Sequence, residues 1–109
     1  ATPAVYSGNI WLGDKQQNIY AISSESGSII ANISSDGGFS SSPIIHKNIL
    51  FIGGEDLNLY AISLANNKLI WKHQLKGEVF SRPACDGQNL YIAAGKSLYS
   101  FWIEDIFSK

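Results

Sequence analysis

The sequence predicts an all-β fold made of successive copies of one four-stranded antiparallel unit, and three observations carry that prediction. The prolines stand at 3, 43 and 83, at a constant interval of 40, and the 109-residue chain has no others. A fixed period of this kind decides fold class ahead of any single element. Behind each proline comes the same order of short runs rich in Ile, Val, Tyr, Phe and Trp, separated by Gly, Asn, Asp and Ser, which is strand-and-turn chemistry. Runs such as Ile49-Leu50-Phe51-Ile52 are apolar at consecutive positions. Neighbouring side chains of a strand point to opposite faces, so such a run needs a sheet buried on both sides. No helical signal is read anywhere in the chain.

The elements follow in register. Thr2-Pro3-Ala4-Val5 recurs as Ser42-Pro43-Ile44-Ile45 and as Arg82-Pro83-Ala84-Cys85, giving first strands near 4–6, 43–46 and 83–86. Asn9-Ile10-Trp11-Leu12-Gly13, Ile49-Leu50-Phe51-Ile52-Gly53 and Leu90-Tyr91-Ile92-Ala93-Ala94 give second strands near 9–13, 49–53 and 89–94. Third strands near 18–23, 57–63 and 97–102 contain Tyr20, Tyr60 and Tyr99; their spacing of 40 and then 39 places a one-residue deletion near Gly95. Fourth strands are expected near 28–33 and 68–75. The third copy has no clear fourth strand unless Ile106-Phe107 supplies a stub. Four strands in about 40 residues, stacked radially so that neighbours bury both faces, describe a β-propeller blade. The expected organisation is a partial propeller of about 2.7 repeats: blade 1 at 1–40, blade 2 at 41–80 and an incomplete blade 3 at 81–109. Tyr20, Tyr60 and Tyr99, and likewise Trp11, Phe51 and Tyr91, are equivalent positions expected between blades.

Composition narrows the function. With 45% apolar and 16% charged residues the chain can build a core, and a net charge of −1 without a basic cluster excludes broad attraction to nucleic acid or anionic membranes. Apolar runs stop at four or five residues, far short of the roughly 20 a membrane-spanning helix requires. No signal or transit segment is read at the start. Cys85 is the single cysteine, so an internal disulfide is excluded and the compartment stays open; within its strand it reads as an inert thiol. His46 and His73 lack a second ligand at metal-binding spacing. The adjacent acids Glu55-Asp56 and Glu104-Asp105 read as solvated turn charge. No Gly-x-Ser-x-Gly elbow accompanies the many serines. Asp36-Gly37-Gly38 is a turn former, since no Lys-Ser/Thr and no helix follows it.

Ala61-Ile62-Ser63-Leu64-Ala65-Asn66-Asn67-Lys68-Leu69-Ile70-Trp71, with its Ala, Lys and Trp in register, resembles the third-to-fourth-strand motif of the PQQ-like (quinoprotein alcohol dehydrogenase-like) β-propeller repeat. The first copy keeps Ala21 and Ser26-Gly27 but has Ala31 where that motif has Trp, and Ser replaces the motif's Asp in both. The resemblance covers almost the whole chain and implies that Trp71 docks on the neighbouring blade. Family members that oxidise alcohols or sugars carry a calcium-bound quinone, an acidic base and usually adjacent cysteines. Cys85 stands alone and the acids are scattered, so no catalytic, cofactor-binding or metal-binding residue is assigned.

Three blades cannot close a ring of roughly four to eight. The chain is therefore expected to self-associate or to join a protein partner or the remaining blades of a larger chain, and the ending at Lys109 suits the C-terminal end of a propeller. Lys76-Gly77-Glu78-Val79-Phe80-Ser81-Arg82-Pro83 resembles blade junctions in the propeller of an adenylating enzyme family and in the propeller lipoprotein of the outer-membrane β-barrel assembly machinery. The function this implies is a non-catalytic protein-interaction scaffold. The alternative is a fragment of a quinone-dependent dehydrogenase whose catalytic blades are absent. Strand geometry puts the turns after each second strand (14–17, 55–57, 95–96) on one rim with the inter-blade segments (35–41, 76–82). Phe39, Phe80, Arg82 and Lys96 are the partner-binding candidates there, being loop residues on a rigid scaffold; the alternative, which is favoured for the two phenylalanines, is that Phe39 and Phe80 plug the blade junctions.

Overall fold

The computed structural model describes residues 2–35 and 37–107. Three antiparallel sheets follow one another along the chain. Blade 1 is β1 (Ala4–Tyr6), β2 (Asn9–Gly13), β3 (Asn18–Ser23) and β4 (Ile29–Ser34), paired in chain order. Blade 2 repeats it with β5 (Ile44–His46), β6 (Ile49–Gly53), β7 (Asn58–Ser63) and β8 (Lys68–Gln74). Blade 3 has three described strands, β9 (Ala84–Cys85), β10 (Asn89–Ala94) and β11 (Ser97–Trp102). The expected strands agree with these within two residues, and the fold is all-β apart from one short element.

That element is α1 (Ile103–Phe107), and it corrects the reading of a helix-free chain with a fourth-strand stub at Ile106-Phe107. A single turn is too short to show an apolar period. It is held by tertiary contacts: the Ile103 N–H donates to the Gln88 carbonyl at 2.9 Å, and Ile103 and Ile106 are buried in the core between blades 2 and 3. The expected turn at 36–38 lies partly outside the described residues.

Register repeats as faithfully as sequence. Trp11 opposes Ala21 and Phe51 opposes Ala61, and both β3–β4 and β7–β8 bulge after that alanine. The β1–β2 and β5–β6 connections place Ser7, Gly8, Lys47 and Asn48 at φ of 52, 78, 48 and 69°, the paired positive values of a type I′ hairpin.

Two cores alternate with the blades. Between blades 1 and 2 lie Trp11, Ile19, Ala21 and Phe39 against Leu50, Ile52, Tyr60 and Ile62. Between blades 2 and 3 lie Ile49, Phe51, Leu59 and Ala61 against Leu90, Ile92 and Ala94, with the α1 isoleucines. Every residue of β6 is buried because its odd and even positions serve different cores. Of the aromatics expected between blades, Trp11, Phe51 and Tyr60 are buried there and Tyr99 packs half-buried against the core between blades 2 and 3, whereas Tyr20 and Tyr91 lie half-buried outside both cores, on the outer faces of blades 1 and 3. Trp71 is half-buried and meets Phe101 of blade 3 edge-on, with centroids 5.3 Å apart. Cys85 is half-buried beside the same core.

Candidate functional site

The rim that carries the second-strand turns is tied together by the chain's own backbone. Phe39 N–H donates to the Asp14 carbonyl at 2.7 Å, Glu55 N–H to Gly38 at 2.7 Å, Leu75 N–H to Leu57 at 2.7 Å and Gly95 N–H to Glu78 at 2.9 Å. Turns and inter-blade segments therefore share one rim. The opposite rim carries the first-strand hairpins, joined by Ser24 N–H to Gly8 and Leu64 N–H to Asn48.

Glycine makes the junctions possible. A Cβ on Gly13 would lie 2.7 Å from the Phe39 Cβ, and one on Gly53 would lie 2.5 Å from a Val79 methyl carbon. Each inter-blade segment thus drops one apolar plug onto the glycine that ends the preceding second strand. Phe39 is 4% exposed and meets Tyr60 edge-on at 5.7 Å, so it fills the junction and its side chain is not on the rim surface. The repeat already held this signal: the residue 40 positions after Phe39 is Val79, which is also buried, and not Phe80.

The other candidates lie outside. Phe80 is 72% exposed, and Arg82 and Lys96 are exposed. Phe80, Ser40, Gly54, Glu55 and Glu78 line a small cleft of about 60 Å³ on this rim. The Ser40 hydroxyl donates to the Val79 carbonyl at 2.5 Å, and Ser41 Oγ accepts from the Gly53 N–H at 2.8 Å, which locks the two junctions together beneath the cleft. Arg82 and Lys96 belong to the same rim but do not line this cleft.

Two acids of the rim, Asp14 and Asp56, are structural. Asp14 accepts from the N–H groups of Gln16 and Asn18 at 2.8 and 2.9 Å. Burial works to raise its pKa, yet these bonds hold the carboxyl below the ordinary carboxylate value. Burial and then Asp14 itself push the Tyr20 phenol up. In blade 2 the corresponding tyrosine, Tyr60, donates to Asp56, which also accepts from the Asn58 N–H at 3.1 Å. Asp56 is therefore an anchored turn acid, which corrects its reading as mere solvated charge. Blade 3 lacks an acid in its shortened turn, and Tyr99 accepts instead from the Lys76 N–H at 2.8 Å.

On the opposite rim, Asp86 is held low by the N–H groups of Asn89 and Gln88, and its hydrogen bond from the Tyr91 hydroxyl, at 3.1 Å, pushes that phenol up. Among the described residues no group of three or more His, Cys, Asp or Glu side chains is placed to hold a metal ion.

The family model described as outer membrane protein assembly factor BamB, of PQQ-like repeat type, matches residues 15–105. The chain belongs to this PQQ-like β-propeller family. The crystal structure of BamB from Moraxella catarrhalis superposes with a TM-score of 0.81 at 8% identity, covering 92% of this chain and 33% of that one. That similarity establishes the propeller fold, and the PQQ-like chain spans about a third of the length of its structural neighbour. None of the curated proteins matches at the sequence level.

Proposed function

We propose that this PQQ-like segment is a non-catalytic protein-interaction scaffold that meets its partner on the junction rim, in the manner of an outer-membrane protein assembly factor. The observation that carries the reading is Phe80, which is 72% exposed beside the cleft floored by the locked junctions. A large aromatic on a rigid support with exposed Arg82 nearby in sequence is the kind of anchor that contributes most at protein contacts. Glu55 and Glu78 on the cleft wall favour a partner segment that brings a basic residue with its apolar one.

A photo-crosslinking side chain at position 80 of the full-length protein, in its own cells, tests this. The expected result is one dominant protein adduct that is absent when the same group stands at Glu25 on the opposite rim, and that Arg82→Glu weakens. Equal labelling from both rims, or no adduct from position 80, contradicts the reading.

A further inference from the structure

The outermost strands of blades 1 and 2 are copies of one element with opposite protection. β4 pairs with β3 and β8 with β7, and each leaves its other edge unpaired among the described residues. The two strands share a register: Tyr20 opposes Asn32 as Tyr60 opposes Lys72, and the bulge beyond Ala21 and Ala61 falls at Ile30 and Ile70. In blade 2, which has a neighbour on both sides, Leu69 and Ile70 remain 46% and 38% exposed. Much of the exposure at these positions therefore comes from their place on the outer circumference, and blades stacked beside the sheet do not remove it. Ile29 and Ile30 are the same two positions of blade 1, 63% and 52% exposed.

A free strand edge is a template for another strand, and natural sheets guard it with charge, lysine above all. β8 is guarded, since Lys68, Lys72 and His73 stand exposed on it. The repeat replaces these three by Ser28, Asn32 and Ile33, and no charged residue lies between Glu25 and Asp36. The bulge at Ile30 blunts one end of the β4 edge but leaves 31–34 in regular pairing. Antiparallel pairing of this stretch with a second copy, about a two-fold axis at Asn32, sets Asn32 against Asn32, Ala31 against Ile33 and Ile30 against Ser34. Every pair is neutral, and facing Asn side chains can hydrogen-bond to each other. The same register on β8 sets Lys72 against Lys72, and like charges directly opposite are destabilising. One edge accepts its own copy and the other repels it.

We propose that the outer edge of β4 is a homotypic docking strand: two copies of this protein pair antiparallel through 30–34, joining two blades edge to edge across a two-fold axis, while β8 makes no such contact. The contact lies on the outer circumference and is independent of any partner on the junction rim. So short an edge buries far less than a standard interface, and the dimer is accordingly weak and concentration-dependent.

Cysteine crosslinking and sedimentation of the chain over a wide concentration range test it. Asn32→Cys with Cys85→Ser, under a mild oxidant, is expected to give a disulfide-linked dimer, because the Cβ atoms of a directly opposite pair lie about 4.5–5.5 Å apart. Ser28→Cys with Cys85→Ser, four positions from the axis, is expected to crosslink several-fold less. Ser28→Lys with Asn32→Lys copies the residues that blade 2 already carries at these places, so the fold tolerates it; the expected result is several-fold weaker association at an unchanged unfolding midpoint. Lys68→Ser with Lys72→Asn opens the second edge and is expected to extend dimers into longer assemblies. A chain that is monomeric at every concentration, equal crosslinking from positions 28 and 32, or a dimer that the two lysines leave intact overturns the proposal. So does a crosslink from position 32 that Ile10→Asn abolishes, since the contact is then made by the open face of blade 1.

Discussion

Phe51 and Tyr91 occupy the same position of successive repeats, on second strands of the same length class, and their surroundings are opposite. Phe51 is fully buried between two blades, whereas Tyr91 is half-buried on a face without a neighbour among the described residues. The same strand geometry thus yields a core residue or a surface one according to what stacks on it, which is the rule for repeat architectures in which each unit is completed by its neighbours. Blade 2 is the region where both faces are completed, and blades 1 and 3 are its half-completed copies.

The largest test of this contrast is truncation at both positions. Phe51→Ala is expected to cost about 3–5 kcal/mol, the range for a large buried aromatic, while Tyr91→Ala costs about 1 kcal/mol, near the average for point changes. Chemical denaturation measures both, and equal losses break the comparison.

Next in size is the pair at the ends of the second strands. Gly53→Ala forces a Cβ against Val79 and is expected to cost about 1–3 kcal/mol by overpacking. Ala93→Val, at the equivalent exposed position of blade 3, stays within about 0.5 kcal/mol as surface changes do. Thermal melts of the two variants separate these outcomes.

Acid sensitivity belongs to the end blades through Asp14 and Asp86. Their folded pKa values lie below the ordinary carboxylate value. The protonated form is therefore favoured in the unfolded chain, so the stability these groups contribute is present above about pH 4 and is lost as pH falls through the folded values. Asp14→Asn with Asp86→Asn is expected to flatten the fall of the denaturant midpoint below about pH 4 and to leave its shape near pH 7 unchanged. An unaltered acid limb sinks the assignment.

The smallest expected effect is local. Gln17 is exposed with φ of 77°, a left-handed conformation unfavourable for side chains. Gln17→Gly is expected to gain about 0.5 kcal/mol, since relief of up to about 1–2 kcal/mol is partly offset by a freer unfolded chain. A lower melting temperature contradicts this.

The strands were legible because each repeat states the same pattern again, and three copies average out local ambiguity. Three features were not read. The α1 turn carries no period of its own, and its isoleucines are recruited by the core between blades 2 and 3. Phe39 and Phe80 look alike as residue types, and only the 40-residue register, which aligns Phe39 with Val79, separates a plug from a surface ring. The anchoring acid of the third-strand tyrosine shifts from Asp14 in blade 1 to Asp56 in blade 2. A side chain can reach one tyrosine position from more than one turn residue, so that partnership follows no sequence spacing.

Native-state hydrogen exchange on the 109-residue chain tests the central claim most directly, since protection reports which elements open last. The account predicts the slowest amides in 49–53 and 58–63, with those of 9–13, 18–23 and 97–102 exchanging sooner. Protection in blade 1 or blade 3 equal to or greater than that of blade 2 would contradict a structure whose middle blade is completed by its neighbours.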